Sequence, residues 1–477
     1  MAARSTARNL SAISAHKAAQ LAGAFGFAAL VPRLLGPELF GQLAFVLSLS
    51  LLLQMLGDLG GMDLIGRNVP GWTQQGEEGQ QHIAWLVWQL TWVRLGLGML
   101  ATLVLVLLAP WLAPWLTPLD GLLVGLGVAV RMLSWTPYHL SFGLNQMGRW
   151  SVELSYRQIV LIPCLLIFAS WGLTGLLVGN LLAEMVFLVP GLAWTRPYWR
   201  VQAPDLAGLR PFLRFGAGFF AANAVLVLLY RSGPVLLELL TRDTVAVGYL
   251  SLALSIYMLL ITILSQYMAA FIPTLSLFHT RHQDGEAQRW LERLMRFSAV
   301  LMGILVIGII LLTHPVAPLL FGKDFQPVSR VFLLLSLPLV AQPLVWAGRY
   351  AATAFGHPRV AFVATLVGLV VALAASLLLM PPYSANGAAL AMGAGIIALG
   401  GALFVLGRGW LRPPWRAWLL TYLPLLFLAP LYSPGRSLAP SLILTAVAIA
   451  AYLALLWLLR VLPTTELRQA AAAFRPH

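Results

Sequence analysis

The chain is short of charge. Only 10% of its 477 residues are Asp, Glu, Lys or Arg, while 60% are hydrophobic. A water-soluble protein of this length needs far more charge to cover its surface. No polar segment is long enough to fold a soluble domain, so the bilayer is read as the solvent. Cysteine is nearly absent as well. Cys164 stands alone in an apolar run, which excludes an intrachain disulfide. Lysine is reduced to Lys17 and Lys323. Also missing are a phosphate-binding glycine loop with its Lys, a zinc motif and a credible nucleophile triad. These absences argue against an ATP-driven pump and against an enzyme, and no cofactor is expected. His279, His282 and Asp284 are too few to make a stable metal site. Met1 to Gln20 has no short apolar core or cleavage site of a secretory signal and is expected to remain on the protein.

What is present is a series of long apolar stretches. A spanning helix needs about 20 apolar residues. By that measure spans are expected near 10–35, 40–65, 83–108, 121–144, 152–170, 173–194, 212–239, 244–273, 297–320, 328–347, 360–380, 386–406, 417–431 and 438–459. The fold expected is therefore all-α, a polytopic bundle of about fourteen transmembrane helices. The thirteenth is short and carries Pro424 and Pro430, so about twelve is the alternative count.

The net charge of +14 is distributed over short loops, not over one soluble face. That suits a membrane topology signal better than nucleic-acid binding. With the N-terminus inside, only Arg33, Arg242, Lys323, Arg330 and Arg436 fall outside. Arg94, Arg131 and Arg231 lie within helices, and the rest of the 30 cations are cytoplasmic. This asymmetry predicts that both termini are cytoplasmic. Trp72, Trp111, Trp115, Trp171, Trp199, Trp410 and Trp415 flank spans and read as interface anchors.

Short matches recur at a nearly constant offset. Gly41 and Gly248 open spans 207 residues apart, Gly148 and Gly356 precede spans 208 apart, and Gly175 and Gly387 begin spans 212 apart. The offsets suggest two parallel six-helix repeats. The expected organisation is an N-terminal lobe (1–200), a second lobe (201–410) and two additional C-terminal helices with a short tail (411–477). The lobes are expected to be pseudo-symmetric around a central cleft, which favours a transporter working by alternating access.

Several segments resemble a known family. Pro32-Arg33-Leu34-Leu35-Gly36-Pro37-Glu38-Leu39-Phe40-Gly41 is similar to the first periplasmic turn of the Wzx-type polysaccharide flippases, in the multidrug/oligosaccharidyl-lipid/polysaccharide (MOP) superfamily. Phe321-Gly322-Lys323-Asp324-Phe325 resembles that family's turn between helices 9 and 10. Gly356-His357-Pro358-Arg359, Met380-Pro381-Pro382-Tyr383 and Asn386-Gly387-Ala388-Ala389-Leu390-Ala391 resemble its helix 10 to 12 signature. The resemblance implies a fourteen-helix fold, an undecaprenyl-pyrophosphate-linked glycan as substrate and coupling to an ion gradient. It implies the bacterial inner membrane, with a polymerase and glycosyltransferases as pathway partners. The family often has an acid beside the helix 7 cation, whereas here Tyr230 precedes Arg231.

A charge at membrane depth is costly unless it faces water or a partner. Arg131, Arg231 and Arg94 are therefore candidates for a cationic cleft that holds pyrophosphate, which a guanidinium grips through paired hydrogen bonds. The competing reading is structural ion pairing. Glu184, mid-span, is either a proton carrier (H+ or Na+ being the coupling ion) or a fixed counter-ion for Arg131 or Arg94. Asp58, one turn deeper than Asp63, is a minor cleft candidate. Asp63 with Arg67, and Glu153 with Arg157, are spaced to pair along a helix. Gly121-x-x-x-Gly125 and Gly175-x-x-x-Gly179 match helix-packing motifs, though glycine is too common here for the match to be specific. Two rivals remain: a cation-coupled drug exporter of the same superfamily, which would prefer an acidic cleft, and a membrane polymerase or ligase, which usually needs a large periplasmic loop.

Overall fold

The computed structural model describes residues 2–269, 272–427, 433 and 435–461. Among the described residues every regular element is a helix. In chain order they are α1 (Ala2–Leu56), α2 (Gly61–Trp72), α3 (Gly76–Leu112), α4 (Pro118–Gly143), α5 (Met147–Phe168), α6 (Gly172–Thr195), α7 (Leu206–Arg231) and α8 (Gly233–Thr241). Then follow α9 (Thr244–Ala269), α10 (Ile272–Thr280), α11 (Asp284–Phe321), α12 (Val328–Ser336), α13 (Gln342–Ala354), α14 (Pro358–Leu406), α15 (Trp415–Leu426) and α16 (Leu438–Leu458).

Among the described residues, eight helices are long and apolar enough to cross a membrane, or up to ten with two bent pairs each taken as one span. This is a multi-pass membrane protein. The remaining expected spans lie inside longer helices or in shorter ones. α1 breaks at Gly36, whose φ of 75° and ψ of 170° are not helical. Glycine adopts that φ without strain, and Pro37 after it has no N–H to continue the ladder. α14 breaks at Ser384, just after Pro381 and Pro382. Each of these two helices thus holds two of the expected spans. Expected span 7 is α7 plus α8, bent by 48°, and span 10 is α12 plus α13, bent by 46°.

Two expectations need correction. The span expected over 40–65 ends instead at Leu56, and α2 begins anew at Gly61. Leu59 (φ 54°) and Gly60 (φ 65°) turn the chain between them. Asp58 therefore lies in a turn rather than inside a helix. The polar stretch 278–296, read as a connection, is mostly the first turns of α11. At 1.5 Å per residue its 38 residues reach about 57 Å, well beyond a hydrocarbon core of roughly 30 Å. The Glu153–Arg157 pair, Asp284 and residues 428–431 of the thirteenth span lie outside the described side chains.

The chain divides into two compact units, Met1–Ser255 and Ile256–His477. Within the second unit α11 packs against α12, α13, α15 and α16, and α14 packs on α13. Gln342 Nε2 donates to the hydroxyl of Tyr257 at 2.7 Å, joining two wholly buried side chains.

Within the first unit α1 meets the start of α9 in a reciprocal contact. A Cβ on Gly41 would lie 1.9 Å from the carbonyl oxygen of Thr244, and one on Gly248 would lie 2.7 Å from that of Pro37. Residues 37 and 244, and 41 and 248, are both 207 apart. Exchanging the two segments maps one contact onto the other, as about a two-fold axis. Only glycine allows this approach. Gly41→Val is expected to cost at least about 2 kcal/mol, or to prevent assembly, because the clash is with backbone. A melt in detergent checks this, with Gly71→Val as the control, since nothing lies within 4 Å of a Cβ there.

Candidate functional site

The candidate site is built on α3, α4 and α6 of the first unit. Glycines set how closely its helices approach. A Cβ on Gly125 of α4 would lie 2.4 Å from the Cα of Thr102 on α3, and one on Gly179 of α6 would lie 2.3 Å from the carbonyl of Cys164 on α5. Both Gly-x-x-x-Gly matches are therefore packing contacts of the kind that lets membrane helices touch backbone to backbone.

Arg131 on α4 faces Glu184 on α6. Its Nη1 lies 3.7 Å from Glu184 Oε2, and the side chains are 10% and 2% exposed. The guanidinium carbon also sits 5.0 Å from the ring centroid of Phe187, one turn along α6. Phe187 is in turn stacked on Tyr138 at 4.4 Å, and the Tyr138 hydroxyl donates to the Phe187 carbonyl at 2.9 Å. The ring stack fixes Phe187, and Phe187 fixes the face on which the guanidinium rests. Asn180, one turn before Glu184, is buried opposite Gly127 of α4.

Arg94 on α3 is wholly buried and turned elsewhere. Its Nε donates to the carbonyl of Gly57 at 2.9 Å, Nη2 to that of Asp58 at 3.3 Å, and Nη1 to Thr136 Oγ1 at 2.7 Å. Nη2 also lies 3.4 Å from His139 Nδ1. The carbonyls of Gly57 and Asp58 lie just past the end of α1, where a cation complements the dipole, and that of Asp58 also accepts from the N–H of Gly61 at 2.7 Å. Arg94 therefore braces the turn between α1 and α2. Replacing Arg94 with Leu should lower stability by several kcal/mol, since each orphaned buried acceptor costs about 1–3 kcal/mol. Arg94→Lys should recover only part, because one ammonium cannot span these acceptors. Equal melting of all three proteins would contradict the brace.

Of the other residues singled out in the sequence, Asp58 enters this set through its backbone carbonyl, and its side chain is half-buried. Arg231 ends α7 at the 48° bend before α8, half-buried. Asp63 and Arg67 are exposed on α2. No group of three metal-ligating side chains occurs among the described residues. Trp115, expected at the lipid interface, turns inward and hydrogen-bonds the buried Glu238. The residues missed by sequence reading are Asn180, Phe187, Tyr138 and His139. Their spacing was a usable signal: 180, 184 and 187 share one face of α6, as 131, 135, 138 and 139 do on α4.

A model of the polysaccharide biosynthesis protein family matches residues 7–279. A model of the lipid II flippase MurJ family matches residues 175–458. Each spans more than half of the chain. The chain belongs to the flippases of the MOP superfamily. Its fold is similar to that of the lipid II flippase MurJ in an inward closed conformation, with a TM-score of 0.74 at 16% identity, over 94% of this chain and 97% of that one. It is similar also to an inward-facing multidrug resistance MATE family transporter, with a TM-score of 0.67 at 15% identity, over 83% and 94%. A MOP superfamily transporter from Pyrococcus furiosus aligns with a TM-score of 0.52 at 15% identity, over 83% and 95%. No curated protein matches the sequence. At these identities the solved structures establish the flippase's fold. The chemistry rests on its own residues.

Proposed function

We propose that this flippase carries an undecaprenyl-pyrophosphate-linked oligosaccharide, such as an O-antigen, capsule or exopolysaccharide repeat unit. Movement runs from the cytoplasmic to the periplasmic leaflet of the bacterial inner membrane, by alternating access, with both termini in the cytoplasm. The observation that carries the reading is Arg131, a cation at membrane depth on α4 with Glu184 at 3.7 Å. Such a charge is retained at a cost and marks a pathway in transporters. Its fork suits pyrophosphate oxygens. Glu184 acts as counter-ion and keeps the guanidinium aimed between substrates. Arg231 supplies a second cation at the bend of α7 and α8. Arg94 serves as a positioning residue through its hold on the α1–α2 turn.

The six-helix lobes 1–200 and 201–410 are read as parallel repeats, with 411–477 appended. The reciprocal Gly41 and Gly248 contact supports that register. The polymerase and glycosyltransferases of the same pathway are the expected partners.

The rival reading, a cation-coupled drug exporter, has the MATE-like fold in its favour. Its substrates are cations, and the buried arginines oppose them electrostatically. Native mass spectrometry separates the two. The purified protein should retain an undecaprenyl-pyrophosphate-linked glycan, release it on addition of excess inorganic pyrophosphate, and ignore a lipophilic cation such as ethidium. Binding of ethidium without the glycan would favour the exporter.

A further inference from the structure

One buried carboxyl is left out of this account. Glu238 on α8 is 1% exposed. Its Oε1 accepts from Trp115 Nε1 at 3.0 Å, and its two oxygens lie 3.3 and 3.2 Å from Thr244 Oγ1. Trp115 Nε1 also reaches Thr244 Oγ1 at 3.1 Å, and Phe45 of α1 meets the Trp115 ring edge-on at 5.6 Å. The carboxyl is thus closed in by an indole and a hydroxyl, and neither carries charge.

Most of the charged groups on the surrounding elements are occupied elsewhere or exposed. Arg242, one turn on, donates to the carbonyls of Leu112 and Trp111. Asp243 caps α9 by accepting from the N–H of Ala246 at 3.0 Å. Asp120 of α4 accepts from Thr117 and Thr174. Arg33 and Glu38 of α1 are exposed, and Arg231 belongs to the last turn of α7. Glu184, by contrast, has Arg131 at 3.7 Å.

We propose that Glu238 is a proton-binding site of the transport cycle, held between Trp115 of the α3–α4 turn and Thr244 at the start of α9. The inference rests on the transporter reading above but not on the identity of the substrate. The geometry accommodates both protonation states. As the anion, the carboxylate accepts from Trp115 Nε1 and from the Thr244 hydroxyl. When a proton adds to Oε2, Trp115 still donates to Oε1, and the second bond reverses so that Oε2–H donates to Thr244 Oγ1. The proton is taken up and released by the same oxygen, and both contacts survive. The site is also tied to a contact between helices. The carbonyl of Thr244 is the group against which Gly41 of α1 packs. With no nucleotide-binding loop in the chain, a proton taken up here is a candidate energy source. On the proposed topology the α3–α4 and α8–α9 turns face the periplasm, where protons are the more abundant.

Dicyclohexylcarbodiimide tests this without any glycan. It is membrane-permeant and forms a stable adduct with carboxyls that are protonated in apolar surroundings. The protein in liposomes is labelled between about pH 5.5 and about pH 8.5, and adducts are mapped by mass spectrometry. The adduct should appear on Glu238 and be stronger at about pH 5.5 than at about pH 8.5. Glu184 should remain unlabelled. Trp115→Phe should raise the yield of adduct at Glu238, because it removes a donor to the carboxylate. With an imposed pH gradient, Glu238→Gln should lose gradient-stimulated flipping of the lipid-linked glycan, and Glu238→Asp should keep part of it. An unlabelled Glu238 at every pH, with its peptide detected, overturns the proposal. So does an unchanged gradient response in folded Glu238→Gln. If labelling titrates as expected while wild-type protein flips no glycan, the proton site stands and the substrate reading falls.

Discussion

Replacing Arg131 with alanine is expected to abolish glycan export per amount of folded protein in the membrane. The expected size follows from the chemistry of the contact. A guanidinium gripping pyrophosphate makes two charge-assisted hydrogen bonds, each worth roughly 1.5–3 kcal/mol. Losing both corresponds to two or more orders of magnitude in affinity, at about 1.4 kcal/mol per tenfold. Stability should fall too, because Glu184 is left buried without its counter-charge, so export is read per amount of folded protein. Arg131→Lys should restore part of the export, since it preserves the charge and loses the planar fork. Complementation of a flippase-deficient strain, with membrane levels followed by immunoblot, reads both quantities. Export at the wild-type level in Arg131→Ala would remove this residue from substrate binding.

Glu184→Gln is expected to act chiefly on stability. The structure places Glu184 3.7 Å from Arg131, with both side chains largely buried. Removing the negative partner leaves a buried cation without its counter-charge, and breaking such pairs costs about 3–5 kcal/mol. The variant should therefore melt earlier in detergent and accumulate less. The folded fraction should keep its response to a pH gradient, because the charge pair and not a mobile proton is what was lost. Arg131→Met combined with Glu184→Gln should recover stability, since both charges are then gone, yet remain inactive. A stable Glu184→Gln protein that has lost its gradient response would instead make Glu184 the proton carrier.

These two predictions differ because the sequence left Glu184 open between carrier and counter-ion. Apolar length was enough for the helical fold and most of its spans, because the bilayer imposes about 20 residues per crossing on any sequence. Breaks were harder to read. Gly36 and Ser384 were anticipated as gaps between spans, yet the turn at 57–60 was not, since Asp58 and three glycines in an apolar run look like a continuing helix. That turn depends on a residue distant in sequence: Arg94, on α3, satisfies its carbonyls.

The same limit applies to the site. Arg94, Arg131 and Arg231 are alike as buried cations in a linear reading. Only the fold separates one that is engaged with helix-end carbonyls from one that faces a carboxylate and an aromatic ring. Trp115 and Glu238 are 123 positions apart and gave no joint signal, so the tryptophan read as a lipid anchor and the glutamate passed unnoticed. The Gly41 and Gly248 match, by contrast, was visible as a repeat, and the structure packs those glycines against each other's segments.

The proposed path of the lipid-linked glycan through this flippase includes Arg131. The most direct measurement uses proteoliposomes carrying undecaprenyl-pyrophosphate-linked glycan with a fluorescent sugar, quenched from outside by a membrane-impermeant reductant. Wild-type protein should expose nearly all of the label, beyond the outer-leaflet fraction quenched in protein-free liposomes, and faster with an inward-directed pH gradient. Arg131→Ala should quench only that outer-leaflet fraction. Equal quenching by wild-type protein, Arg131→Ala and protein-free liposomes would contradict the account.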